Sequence, residues 1–267
     1  MSRPDILTQI AASVEKRLAA RKAALPLEKL LQMVSSARKP RAFTEQLRGG
    51  LKVIAEVKFR SPSQSESGFS SNSENAVQIA GSYLQGGASA LSILTEEDHF
   101  NGSLEYLHAI RARFPESFLL MKDFVIDVYQ LAEAVVYGAD CVLLIVALLD
   151  EEKLKELYER AVGFGLSVLV EVHDEAEMKI ALSLKAPLIG INNRNLKTLK
   201  ISLDTSRGLA PLAPQGTVLI CESGIEKASE MSEMHRLGFS GFLIGTSLMK
   251  TSDPGKTLSG LLKEARG

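Results

Sequence analysis

Seven charged or amide side chains stand at the ends of short apolar runs. They are Glu56 and Lys58 in VIAEVK (53–58), Lys122 in FLLMKD (118–123), Glu171 in LSVLVEVHD (166–174), Asn192 and Arg194 in LIGINNRN (188–195), and Glu222 in VLICESG (218–224). Carboxylates and ammonium groups in this combination can move protons and stabilise charge that develops during a reaction. An isolated charge at such a position is costly to remove from water, so these groups must pair with one another or with a ligand. A structural ion pair would account for any one of them. All seven at or just past strand ends point instead to a reaction site.

The elements that hold them must be strands buried on both faces, because the runs are apolar without alternation. Side chains alternate along a strand, so Glu56 and Lys58 share one face, as do Glu171 and His173. Strand candidates cover 53–58, 90–94, 118–122, 140–146, 166–172, 188–192, 217–222 and 241–245. Between them, apolar residues recur at helical spacing, as with Leu154, Leu157, Tyr158, Ala161 and Val162. Eight strands, each followed by a helix, predict an α/β fold of the (β/α)8 TIM barrel type, with the polar strand ends gathered on its C-terminal rim. A doubly wound open sheet is disfavoured, because no Gly-x-Gly-x-x-Gly follows the first strand.

The barrel is assigned to residues 51–267. Residues 1–50 stand outside the alternation and read as an N-terminal helical extension packed on it, the whole forming one structural domain. Ile6, Ile10, Val14 and Leu18 repeat every four residues, and Leu27, Leu30, Leu31 and Val34 form a second stripe opened by Pro26. These helices could plug one end of the barrel or cover its catalytic rim. The serine-rich segment 61–74 reads as a mobile first βα loop, and it and the first stripe are expected to meet over that rim.

Two further turns, Ser223-Gly224-Ile225 and Gly245-Thr246-Ser247, follow the seventh and eighth strands. Small residues there let backbone N–H groups approach an anion, and this part of a barrel commonly binds phosphate. Ordinary turn chemistry is the alternative.

A chain of 267 residues suits one barrel of ~250. A formal net charge of −1 lacks the basic footprint that nucleic-acid binding needs. Cys141 and Cys221 fall in predicted strands as buried thiols rather than a disulfide, which implies a reducing compartment. The apolar run CVLLIVALL, fenced by Asp140 and Asp150, is shorter than the ~20 residues of a membrane span. Asp5, Glu15, Lys16 and Arg17 interrupt any signal peptide, so a cytoplasmic protein without membrane or nucleic-acid partners is expected. The four histidines lack metal-ligand spacing, and no Gly-x-Ser-x-Gly elbow or Walker loop occurs. No metal is expected. Schiff-base chemistry at Lys122 stays open.

The strings IAEVKFRSPS (54–63), LTEEDHFNGSLEYL (94–107), LMKDF (120–124), GADCVLLIVALL (138–149), LVEVHDEAE (169–177), IGINNRNLKTL (189–199), ESGI (222–225) and GFLIGTSLMK (241–250) resemble the indole-3-glycerol phosphate synthase family, in order and with matching spacing. The resemblance runs from the N-terminal helices nearly to the last one. It implies ring closure with decarboxylation and dehydration of 1-(2-carboxyphenylamino)-1-deoxyribulose 5-phosphate in tryptophan biosynthesis, without cofactor or metal. By that resemblance Lys122 is the general acid toward the C2′ oxygen, and Glu171 assists ring closure and dehydration as base or electrostatic stabiliser. Glu56 and Lys58 orient and assist, while Asn192, Arg194 and Glu222 hold the sugar hydroxyls and the lysine. Phosphate would lie on Ser61, Ser223, Gly224, Gly245 and Thr246, helped by Lys58. The aromatic ring would lie against Pro62, Phe100, Phe124, Leu143 and Leu196, with Leu243 completing the substrate-binding set. The implied partner is a small phosphorylated molecule. The protein is expected to be a monomer or weak homo-oligomer, with other tryptophan-pathway enzymes as candidate partners.

The chain departs from the family pattern in its first loop, where Phe59-Arg60 precedes Ser61 and Gln64-Ser65 follows Ser63, leaving Arg60 as a substitute charge. Thr246 stands where serine is common, which keeps the hydroxyl. Two other readings compete: a different phosphosugar barrel of amino-acid biosynthesis, and a non-catalytic barrel serving as a binding or scaffold subunit.

Overall fold

A computed structural model of the chain describes residues 6–61 and 68–267. Residues 62–67 of the predicted first loop, including Pro62, lie outside the described residues. Eight strands close a barrel: β1 (Lys52–Val57), β2 (Ala90–Leu94), β3 (Leu119–Lys122), β4 (Cys141–Ile145), β5 (Ser167–Val172), β6 (Leu188–Asn192), β7 (Val218–Glu222) and β8 (Phe239–Ile244). Every neighbouring pair is parallel, including β1 with β8. The strands match the sequence reading to within a residue or two. The largest difference is at β8, which begins at Phe239 because that ring packs between sheet and helices.

Three helices precede the barrel: α1 (Ile6–Ala24), α2 (Leu27–Ser36) and α3 (Phe43–Gln46). The outer ring comprises α4 (Ser73–Gln85), α5 (Leu104–Arg113), α6 (Val128–Val136), α7 (Glu151–Gly163), α8 (Glu175–Ser183), α9 (Asp204–Leu209), α10 (Ala228–Arg236), α11 (Thr246–Met249) and α12 (Pro254–Arg266). Among the described residues no helix is long and apolar enough to cross a membrane.

Strand alternation divides the core into two layers. Val53, Ala55 and Val57 of β1 face the helices, with Val168, Val170 and Val172 of β5 doing the same. Ile54, Leu120, Leu143, Leu169 and Ile220 fill the barrel interior. The next inward positions toward the strand ends are Glu56, Lys122, Glu171, Asn192 and Glu222, so the same period-two geometry that packs the interior delivers the polar groups to one rim.

The N-terminal segment contacts both ends of the barrel. Phe43 of α3, fully buried, packs with Ala90, Cys141, Leu188 and Val218 at strand starts and meets Phe118 edge-on, with ring centroids 6.4 Å apart. This plug is pinned by Asp140, which accepts hydrogen bonds from Arg38 Nη1 (2.8 Å), Arg111 Nη2 (2.6 Å) and the N–H groups of Arg41 (2.8 Å) and Leu119 (3.0 Å). A buried carboxylate with four donors is well satisfied. At the other end, Ile6, Leu7 and Ile10 of α1 reach the pocket at the strands' C-terminal rim.

The stripes are thus partly redrawn. In α1 the buried line is Leu7, Ile10, Val14 and Leu18, with Ile6 only half-buried. In α2 only Leu30 is buried, while Leu27 and Leu31 are exposed. The reason is that α2 lays a single narrow edge on α6, where Leu30 and Leu18 join Tyr129 and Ala132.

Candidate active site

The rim groups converge in one pocket at the C-terminal ends of the strands. Lys122 Nζ stands 3.2 Å from Glu171 Oε2 and 3.6 Å from Glu222 Oε2. Asn192 Nδ2 donates to Glu171 Oε1 over 3.2 Å, and Lys58 Nζ lies 2.7 Å from Glu56 Oε1. Glu56, Glu171 and Glu222 are all buried, so these contacts act in a medium of low polarity where charge pairing is strong.

Burial acts first on the ionisation of this cluster, and charge then decides the outcome. It opposes a charged Lys122, but the carboxylates of Glu171, Glu222 and Glu56 outweigh it and hold the ammonium above its ordinary pKa. Burial also favours a neutral Glu171, yet Lys122, His173 and Asn192 reverse that and keep Glu171 a carboxylate. Glu222 goes the other way, because burial and the neighbouring negative charge of Glu171 both raise it more than Lys122 lowers it. The result is one ionised and one readily protonated carboxyl on either side of a cation. Splitting two acids in this way is how a single site holds a stabilising anion beside a proton carrier.

Two glycines make room for the cluster. A Cβ on Gly190 of β6 would lie 2.0 Å from Glu222 Oε1, and one on Gly245 would lie 2.6 Å from Glu56 Oε1. The turn after β7 takes left-handed backbone at both Ser223 (φ 63°) and Gly224 (φ 89°). Asn193 secures it by donating Nδ2 to the carbonyl oxygens of Glu222 (3.0 Å) and Ser223 (3.1 Å).

The opposite wall is aromatic. Phe100 and Phe124 stand with centroids 5.9 Å apart, and Leu143 and Leu196 also line the pocket. Phe100 is presented by the loop after β2, which Glu96 organises by accepting the N–H groups of Asp98 (3.0 Å), His99 (2.8 Å) and Phe100 (3.1 Å). Arg60 donates to the carbonyl oxygens of Asp98 and His99. Its guanidinium therefore fastens two loops together instead of replacing a phosphate-binding lysine.

The candidate site residues fall together. Lys58, Ser61, Arg194, Leu243 and Thr246 line the same pocket, and Pro62 alone lies outside the described residues. Sequence reasoning missed other lining groups. Leu94 and Ile145 end strands on the inner face, and alternation could have revealed them. Leu199 and Ile201 sit on the loop after β6, folded back through an Arg194–Ile201 bridge, and carry no sequence signal of proximity. Among the described residues no group of three or more His, Cys, Asp or Glu side chains is arranged to hold a metal ion.

The family model for indole-3-glycerol phosphate synthase matches residues 7–261. The chain belongs to the indole-3-glycerol phosphate synthase family. Among its relatives, the protein of that name from Albidiferax ferrireducens is 42% identical over 266 residues, covering 98% of this chain and 99% of the relative. Its namesake from a Nocardioides species is 44% identical over 251 residues, covering 94% and 95%. Among solved structures, the 3-hexulose-6-phosphate synthase of Salmonella typhimurium superposes with a TM-score of 0.65 at 13% identity, covering 80% of this chain and 100% of that one. That similarity concerns the barrel fold alone. Family members thus align with both the N-terminal helices and the barrel of this chain.

Proposed function

We infer that this chain catalyses ring closure of 1-(2-carboxyphenylamino)-1-deoxyribulose 5-phosphate to indole-3-glycerol phosphate, with loss of carbon dioxide and water. The family match over nearly the whole chain carries this reading, and the Lys122–Glu171 pair at the base of the pocket supports its chemistry.

The phosphate would sit at the turns after β7 and β8, near Lys58 and Ser61. The aromatic ring would rest against Phe100, Phe124, Leu143 and Leu196. Between them the C2′ carbonyl meets Lys122. As the ring carbon bearing the carboxylate attacks C2′, the carbonyl oxygen gains negative charge and takes a proton from the Lys122 ammonium. The ring becomes a cationic iminium, which the Glu171 carboxylate stabilises more than it does the neutral ring of the substrate. Carbon dioxide leaves and its bonding electrons quench that cation. Removal of the C2′ hydroxyl and a C1′ proton completes the indole, with Glu222 and Glu171 as the available acid and base. Asn192 and Arg194 would hold the sugar hydroxyls, and Lys58 with Glu56 would orient the ribulose chain.

Schiff-base chemistry fits less well, because a lysine nucleophile must be neutral and the surrounding carboxylates hold Lys122 protonated. A fluorescence assay for indole-3-glycerol phosphate, run without added metal, tests the assignment. Appearance of the indole emission supports it, and a purified, folded protein that forms none overturns it.

A further inference from the structure

His173 stands just past the end of β5, two residues beyond Glu171 and on the same face of the strand. Its side chain is nearly buried and lies between two carboxylates. Nε2 lies 3.2 Å from Glu171 Oε1, and Nδ1 lies 3.0 Å from Glu177 Oε2. Glu177 is itself fixed, since its N–H is capped by Asp174 Oδ1 (2.9 Å) and its Oε2 also accepts the His173 N–H (2.8 Å). The chain Glu177–His173–Glu171 therefore runs from the first turn of α8 to the reacting centre.

We propose that His173, braced by Glu177, is a positioning residue that holds the Glu171 carboxylate in place and ionised against Lys122. The inference rests on the ring-closure reading above, because it concerns the group that stabilises the iminium.

An imidazole with a carboxylate on each nitrogen can satisfy both only as the doubly protonated cation; in either neutral tautomer one nitrogen lone pair would face a carboxylate. The Nε2–Glu171 contact has ion-pair distance without hydrogen-bond direction in the resting site. A modest turn of either group would complete it. Among the described residues, Glu171 on β5 and Glu177 on α8 are the charged groups that act on the ring; Lys122 of β3 and Asn192 of β6 bear on Glu171. The neighbouring turn Val146–Leu148 has only apolar side chains. Burial disfavours the imidazolium, but the two carboxylates overcome it and lift the ring to about 10. The second cation on Glu171 keeps its carboxyl ionised while the proton of Lys122 is in transit, the moment when the lysine's own charge is lost.

The test compares His173→Gln and Glu177→Gln with the wild-type chain over a range of pH, alongside the ring ¹⁵N resonances of His173 in the wild type. For His173→Gln, kcat should fall about tenfold to a hundredfold, the range typical of groups that orient a functional side chain from behind, with KM little changed. The acid limb of the kcat profile should move to higher pH, because Glu171 loses a partner that depressed its pKa. Glu177→Gln keeps the hydrogen bonds and removes only the charge, so its shift should be smaller and in the same direction. Both ring nitrogens should carry protons at pH 8. Unchanged kcat and acid limb in both variants, or a neutral His173 ring at pH 8, would overturn the proposal. If His173→Gln does not fold, Glu177→Gln and the wild-type resonances decide. A wild type that forms no indole-3-glycerol phosphate would instead remove the ring-closure reading, so the two failures are distinct.

Discussion

Arg17 on α1 grips Asp98 on the loop after β2, its Nε lying 2.6 Å from Asp98 Oδ2, while its terminal nitrogens pair with Asp98 and with Glu97. That loop presents Phe100 to the pocket, and α1 adds Ile6, Leu7 and Ile10 to the pocket's lining. The ion pair thus links the N-terminal helix to the aromatic wall. Exposed pairs contribute only about 0–1 kcal/mol to stability, so Arg17→Ala should leave the melting temperature nearly unchanged. It should raise KM by about fivefold, the equivalent of ~1 kcal/mol of substrate binding, with a smaller fall in kcat. Unaltered steady-state kinetics would mean that α1 only covers the barrel and does not set the pocket.

Lys122→Met should reduce turnover by at least about a hundredfold, because a thioether of similar length donates no proton, while substrate affinity falls much less. Glu171→Gln should lose activity on a similar scale through the missing negative charge beside the iminium. Single-turnover kinetics separate binding from chemistry in both variants. Near-normal chemistry in Lys122→Met would reassign the acid.

Phe43→Ala tests the plug under the strand starts. The ring is fully buried among residues from four strands, so its removal should destabilise the protein by about 3–5 kcal/mol in chemical denaturation. The pocket lies at the opposite end, so the folded variant should keep its KM.

Glu133 on α6 is buried beside Arg21 of α1, with Nε 3.4 Å from Oε1. Burial raises its carboxyl to about 7 although Arg21 opposes the shift. A carboxyl raised on folding contributes stability that is full below its unfolded pKa and is lost as pH rises through the folded value. Glu133→Gln should therefore raise the melting temperature relative to wild type at pH 8 and change it little at pH 4.5. An equal effect at both pH values would show that Glu133 does not titrate in this window.

The barrel and the membership of its polar rim are legible in the amino-acid sequence. Period-two alternation is a local rule: once VIAEVK (53–58) and SVLVEV (167–172) are strands with Ile54 and Leu169 inward, Glu56 and Glu171 must follow on the same face. The turns after β7 and β8 were legible as turns for a similar reason, because glycine and small hydroxyl residues right after an apolar run mark where the chain leaves the strand. How the charges divide follows from packing in three dimensions. Which of Glu171 and Glu222 stays ionised depends on distances of 3.2 and 3.6 Å to Lys122 and on the second cation at His173, and electrostatic energy inside a protein changes steeply over such separations. The N-terminal helices show the same limit. Their stripes announced that something must be covered, but Leu30 went inward and Leu31 outward, and α1 reached the rim while α3 filled the base, because burial depends on the surface a helix meets and periodicity carries no information about that surface.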